Sequence, residues 1–304
     1  MIAPRSRLVA AQRNQQLIDE LWDFADPAAS EARFRVAASS ARTDEQRPIL
    51  LTQMARALGL RSRFDEALAV LDGLATDQND ELAVRVDLER GRVLNTRGSP
   101  ADARPLFEAA FDRASAAGFE HLAIDALHMV AIVAAPEDQT ALNERALGIA
   151  RAASDPRARD WRASLLNNLG WTKFDAGDLD DALALFEEAV EERVRMGKAR
   201  ELGVARWSVG RVLRALGRTE QALGAQIDLV QWMAAAELTD SYVEEEIGEC
   251  LVVLGRSSEA ASHFALAADL LEAAGPGEDP DPERLTRLRA LSAQSSTTPE
   301  PSTG

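Results

Sequence analysis

The chain has 304 residues, 46% of them hydrophobic but only 5% aromatic, so it can bury a large core that aliphatic residues and alanine must fill. A formal charge of −16 and a pI near 4.7, with no Lys/Arg block anywhere, argue against a nucleic-acid or anionic-lipid partner. One cysteine, Cys250, rules out an internal disulfide framework and leaves too little thiol for a Cys-rich zinc site. With no secretory apolar run in "MIAPRSRLVAAQRNQQ" and no membrane-length apolar segment, the expectation is a cytoplasmic protein without a membrane partner.

In chain order, "LIDELWDFADPAASEARFRVAASSA" predicts two short helices broken at Asp26-Pro27, with Leu17, Leu21, Trp22, Phe34 and Ala37 apolar. Residues 1–44 are thus expected to form a degenerate first hairpin. Beyond them an internal repeat sets in. Gly170 is followed by Gly177 and Ala182, and the same spacing returns as Gly91, Gly98, Ala103, as Gly210, Gly217, Ala222 and as Gly248, Gly255, Ala260, which together use eight of the 18 glycines. Looser copies place Ala55 and Ala67 around Ser62, and Met129 and Ala141 around Pro136. Successive copies are 36 to 41 residues apart.

One copy shows what the spacing is for. In "NNLGWTKFDAGDLDDALALFEEA", Leu166, Leu169 and Gly170 share a helix face, Gly177 can end that helix in the left-handed conformation, and Asp178 can cap the next. Along the second helix Ala182, Leu183, Phe186, Ala189 and Val190 form a stripe that needs burial. A single hairpin cannot cover its own apolar face, so it must stack on neighbours. Residues 45–275 read as a solenoid of about six such units. Residues 276–304 read as a breaker-rich link, "GPGEDPDP", a short capping helix in "ERLTRLRAL", and a disordered polar tail, "SAQSSTTPEPSTG".

Leu166, Leu169 and Gly170 followed by Ala182 and Phe186 resemble the tetratricopeptide repeat, although leucine stands for the tryptophan of its pattern and Lys173 for the tyrosine, and no proline closes the unit. The Ala-x₃-Phe pair recurs as Ala103 and Phe107 and as Ala260 and Phe264, and loosens to Ala67 and Leu71, Ala222 and Gln226, and Ala141 and Arg145. The resemblance implies an all-α fold, a right-handed superhelical solenoid of antiparallel helix hairpins. It also implies that the concave side is built by the first helix of each hairpin.

That side is where a partner is expected, another protein or a peptide. Its candidate groove residues are Arg56, Arg92, Asn95, Asn167, Asn168, Trp171, Trp207, Arg211 and Arg214, a set of tryptophans, arginines and asparagines suited to hold an extended segment. Each has a plainer reading: the arginines can pair with neighbouring carboxylates and the tryptophans can pack between hairpins. Glu244, Glu245, Glu246 and Glu249 read as a solvated face, His121 and His128 as a pair sharing one helix face without metal-ligand support, and Cys250 as a buried small hydrophobe. No catalytic motif, metal site or cofactor signature is present in the sequence. The expected function is therefore a non-enzymatic interaction scaffold that takes a peptide or helix of a partner. The alternative is a signalling-peptide sensor, similar to the repeat halves of bacterial peptide-responsive regulators.

Overall fold

The computed structural model describes residues 5–41, 43, 45–76, 79–275, 281 and 283–294, and among these it holds fifteen α-helices and no strand. The chain divides into two compact units, Met1–Leu165 and Leu166–Gly304, with the division inside the ninth helix. Of the expected tail, 292–304, the first three residues instead belong to the last helix and 295–304 lie outside the described residues, as does most of the link at 276–282.

The first unit contains α1 (Arg5–Leu21), α2 (Pro27–Ser39), α3 (Gln46–Leu60), α4 (Phe64–Asp72), α5 (Asp80–Thr96), α6 (Pro100–Ala117), α7 (Glu120–Val133), α8 (Pro136–Ala152) and the start of α9 (Pro156–Ala176). The second contains the rest of α9, then α10 (Leu179–Met196), α11 (Ala199–Ala215), α12 (Thr219–Ala235), α13 (Ser241–Val253), α14 (Ser257–Ala274) and α15 (Arg284–Gln294). Within each unit a helix packs chiefly on the next one in sequence, giving stacked helical hairpins. The all-α hairpin architecture follows from the repeat.

The two glycines of each copy act differently. Gly177 has φ +81°, which only glycine adopts without strain; its N–H donates to the Phe174 carbonyl at 3.0 Å and that of Asp178 to Lys173 at 2.9 Å, closing the helix. Gly170 instead makes room. A Cβ there would stand 2.8 Å from ring carbons of Phe186, and the same relation joins Gly91 to Phe107 and Gly248 to Phe264. Phe107, Phe186 and Phe264 are all at most 1% exposed, so each ring seats on a bare stretch of the preceding helix. In the copy at Gly210 the ring is replaced by Gln226, whose side chain fills the same place and donates to the Trp207 carbonyl at 3.1 Å. Asp178 does occupy the N-cap of α10, but its side chain pairs with Lys173 at 3.2 Å and makes no capping bond.

Two copies depart from the pattern. At the α3–α4 turn the left-handed position is held by Ser62, at φ +58°. Between α7 and α8 there is no left-handed residue; Ala134 and Ala135 are extended and Pro136 opens α8. The expected register of that copy is wrong: Ala141 and Arg145 are exposed, and the buried stripe of α8 is Asn143, Ala146, Leu147 and Ala150. A two-residue extended link leads the chain into α8 at a different rotation, and Arg145 lies instead over the Phe111 ring at 4.6 Å. At the C-terminus, Leu288 of α15 is fully buried in the core cluster of the second unit, which also contains Phe186, Phe264 and Cys250.

A candidate interaction surface on the first helices of the hairpins

In the second unit the first helices α9, α11 and α13 present an unbroken run of rings. Trp171 meets Phe174 at 5.4 Å and Trp207 at 5.7 Å between centroids; Trp207 meets Tyr242 at 5.8 Å, and the Arg284 guanidinium covers Tyr242 at 3.5 Å. Trp207 is fixed from two sides, by its own Nε1 donating to the Tyr242 carbonyl at 3.1 Å and by Gln226 behind it. Half-buried Asn167 and Asn168 lie one turn before Trp171 on α9. Past Trp207 the run opens into a cleft of about 470 Å³ lined by Arg211, Arg214, Tyr242, Glu245, Glu246 and Arg287 among others.

The charges of this cleft are paired across hairpins. Glu246, with its side chain 4% exposed, accepts from Arg214 in a two-point contact and from Arg211 at 3.3 Å. Glu245 accepts from Arg284 and Arg287, each at 2.6 Å, and Glu244 meets His263 at 2.7 Å. The expectation of a solvated acidic face is thus overturned for α13: Glu244 and Glu246 are buried, and the stacking of α11, α14 and α15 brings five basic side chains, Arg211, Arg214, His263, Arg284 and Arg287, to its carboxylates. Cys250 is fully buried on the same helix, and burial, then the Glu246 charge, pushes its thiol up to about 12. It is an inert core residue.

In the first unit the corresponding face is an ion-pair network. Arg92 donates to Glu89 at 2.6 Å and to Asp125, while the Arg56 guanidinium lies 5.6 Å from the Trp22 ring and 5.2 Å from Phe24, with Nε 4.0 Å from Glu89. Trp22 Nε1 donates to Gln53 at 3.0 Å, and Asn95 is half-buried further along α5. Burial disfavours the Asp125 carboxylate, but the charges of Arg92 and Arg56 outweigh it and hold its pKa at about 2. His121 and His128 do share one face, and both turn to Trp161: its Nε1 donates to His121 Nδ1 at 3.1 Å, and the His128 ring packs on it at 5.2 Å. Burial, against the pull of Asp125, lowers both imidazole pKa values. Among the described residues no three His, Cys, Asp or Glu side chains come together as a metal site.

The candidate residues therefore fall into two sets, Arg56, Arg92 and Asn95 in one unit and Asn167, Asn168, Trp171, Trp207, Arg211 and Arg214 in the other. Sequence reasoning missed Tyr242, Arg284 and Arg287 beside the second set. Tyr242 stands at the very start of the helix that carries Gly248, and Arg284 and Arg287 are on α15, beyond the last copy of the repeat, where no repeat phase marks an inward position.

A family model of the tetratricopeptide repeat matches residues 161–226, the segment that carries Gly170, Phe186 and the second set of candidates. Among solved structures the apo form of RapI superposes with a TM-score of 0.71 at 12% identity, over 94% of this chain and 81% of that one. Residues 161–226 thus carry the tetratricopeptide repeat, and the chain has the fold of tetratricopeptide-repeat-like helical solenoids. The repeats also align with a signal-transduction ATPase with numerous domains from Pyrococcus horikoshii that has a tetratricopeptide repeat sensor, at TM-score 0.70 and 10% identity, over 94% of this chain and 44% of that one. A Rap protein complexed with the competence and sporulation factor aligns at 0.62 and 14% identity, over 94% of this chain and 81% of that one. No curated protein matches the sequence. Among the described residues no helix of this repeat protein is long and apolar enough to cross a membrane.

Proposed function

We propose that the protein is a non-enzymatic interaction module whose second unit takes an extended segment of another protein along the first helices of its hairpins. The observation that carries this reading is the run Trp171, Trp207, Tyr242 leading into a charged cleft of about 470 Å³. Half-buried aromatic faces take apolar side chains, the Asn167 and Asn168 amides suit a peptide backbone, and the cleft offers both signs of charge. No residue is assigned a catalytic role.

A second reading is favoured by the comparisons: the aligned Rap structure is a complex with the competence and sporulation factor, and NprR in complex with its cognate peptide NprX aligns at TM-score 0.52 and 14% identity. A free signalling peptide is the occupant on that reading. Affinity capture from native extract, run with the wild type, with Asn167→Ala/Asn168→Ala and with Arg287→Ala, tests the face. A partner held by the wild type and lost from both variants, at unchanged melting temperature, supports it; equal retention by all three shows that binding lies elsewhere. Extract passed through a membrane that removes proteins separates a free peptide from a protein segment.

A further inference from the structure

The first helix departs from the hairpin plan. Near its C-terminal end Leu17, Ile18 and Leu21 join the core cluster of α2 and α3, and Ile18 is the one fully buried side chain of α1 among the described residues. Its other face, from Arg7 to Asp19, lies across the starts of α5 and α7 and the link between α8 and α9. There it is held by polar bonds: Asn14 Nδ2 to Glu81 at 2.9 Å, Arg85 to Gln15 Oε1 at 2.9 Å, Arg157 to Asp19 at 2.9 Å, and Arg7 beside Asp80 at 3.9 Å. Beneath it Arg85 and Glu81 bond each other at 3.0 Å with side chains 5% and 7% exposed.

The fit above that pair is poor. A cleft of about 270 Å³ lies on one side of α1, between Leu8, Ala11, Gln12 and Phe119, His121, Leu122. Another of about 200 Å³ lies on the other, between Arg7, Ala10, Asn14 and Asp80, Glu81, Phe119. Both clefts open to solvent, with Ala10 and Gln12 exposed and Ala11 half-buried, so the small side chains of α1 leave this part of the seat unfilled.

We propose that the seat of α1 is a helix-binding groove, that α1 is its exchangeable resident, and that its outside ligand is an amphipathic helix of another protein. The bonds α1 makes specify that ligand. It carries a basic residue near its start to meet Asp80 and Glu81, an acidic residue about three turns later to meet Arg157, and Leu- or Phe-sized side chains where α1 has Ala10, Ala11 and Gln12. Release of α1 returns its polar groups to water but gives up the burial of Leu17, Ile18 and Leu21, which a ligand helix with apolar residues at the same three places restores while it also fills both clefts. This surface belongs wholly to residues 1–165 and the aromatic run wholly to residues 166–304, so the two proposals stand or fall separately.

The test uses the full chain and a labelled synthetic peptide of residues 5–22 carrying Ala11→Leu and Gln12→Leu. Hydrogen exchange should show α1 opening on its own, roughly 100-fold faster than α5. The peptide should bind saturably and speed α1 exchange further. The same two substitutions made in the chain itself should slow α1 exchange and weaken the peptide about tenfold, because the tethered helix then competes better. Exchange of α1 in step with α5, failure of the peptide to bind, or a lower melting temperature for the substituted chain would each overturn the proposal.

Discussion

Phe186 packs directly against the backbone of Gly170, close enough that a Cβ at position 170 would stand 2.8 Å from its Cε1 and Cζ. The ring is fully buried and also meets Trp171 at 5.0 Å, so it cannot retreat. Gly170→Ala should therefore destabilise the protein by about 1–3 kcal/mol through overpacking, and Phe186→Ala by about 3–5 kcal/mol through the cavity. Because the two changes act on one space, the Gly170→Ala/Phe186→Ala double variant should cost less than the sum of its parts. Urea unfolding of the four proteins measures this; strict additivity would show that ring and glycine do not interact.

Glu246 binds Arg214 and Arg211 while almost wholly buried, so the arginines hold α11 to α13 and are not loose surface charges. Arg214→Ala should cost about 1–3 kcal/mol, since it leaves a buried carboxylate poorly satisfied. Arg211 is 36% exposed, and Arg211→Ala should cost under about 1 kcal/mol. Arg211→Glu with Arg214→Glu should cost about 3–5 kcal/mol or more by stranding Glu246 among like charges. A double variant as stable as the wild type would mean that the pairs are incidental.

Stability should fall in two stages on acidification. Burial lowers His121 and His128, so both are neutral in the folded protein. The unfolded chain takes up their protons first as pH drops below about 6.5, and stability declines from there. Asp125, held at about 2 against an ordinary 3.8, adds stability that is complete above about pH 4 and lost between there and about 2, on the order of 2 kcal/mol. Urea midpoints at pH 7.5, 6, 5 and 3 follow both stages. His121→Gln, whose Oε1 still accepts the Trp161 N–H, should flatten the upper one; a midpoint that rises from pH 7.5 to 5 would contradict the burial of the imidazoles.

Ser62 closes the α3–α4 turn at φ +58°, the place glycine holds in the regular copies. An L side chain there costs on the order of 1 kcal/mol, so Ser62→Gly should raise stability by roughly 0.5–1 kcal/mol. The same measurement on Gly177→Ala, at φ +81°, should show a loss of similar size. Opposite signs at the two turns are the expected signature, read as shifts in thermal midpoint.

The hairpins were legible in the chain because their causes are local. A left-handed glycine, a bare helix face and a ring sixteen residues later act within one turn of chain, as Gly170, Gly177 and Phe186 show. Where the local signal failed, at Met129 and Ala141, alanine was too common to set a register and the short link through Ala134 and Ala135 set it instead.

The surface was only half legible. Composition and repeat phase point to Trp171, Trp207, Arg211 and Arg214, but neither says what each side chain meets. Arg214 reaches Glu246 across 32 residues, Arg92 reaches Asp125 across 33, and Arg157 reaches Asp19 across 138. Such pairs depend on how one hairpin stacks on another and on where α1 comes to lie. By itself, then, the sequence determined a helical repeat, since periodicity and turn geometry are properties of short segments. Only the tertiary structure decided which charges are buried and paired and which face α1 covers, because those depend on the register between segments that no local pattern encodes.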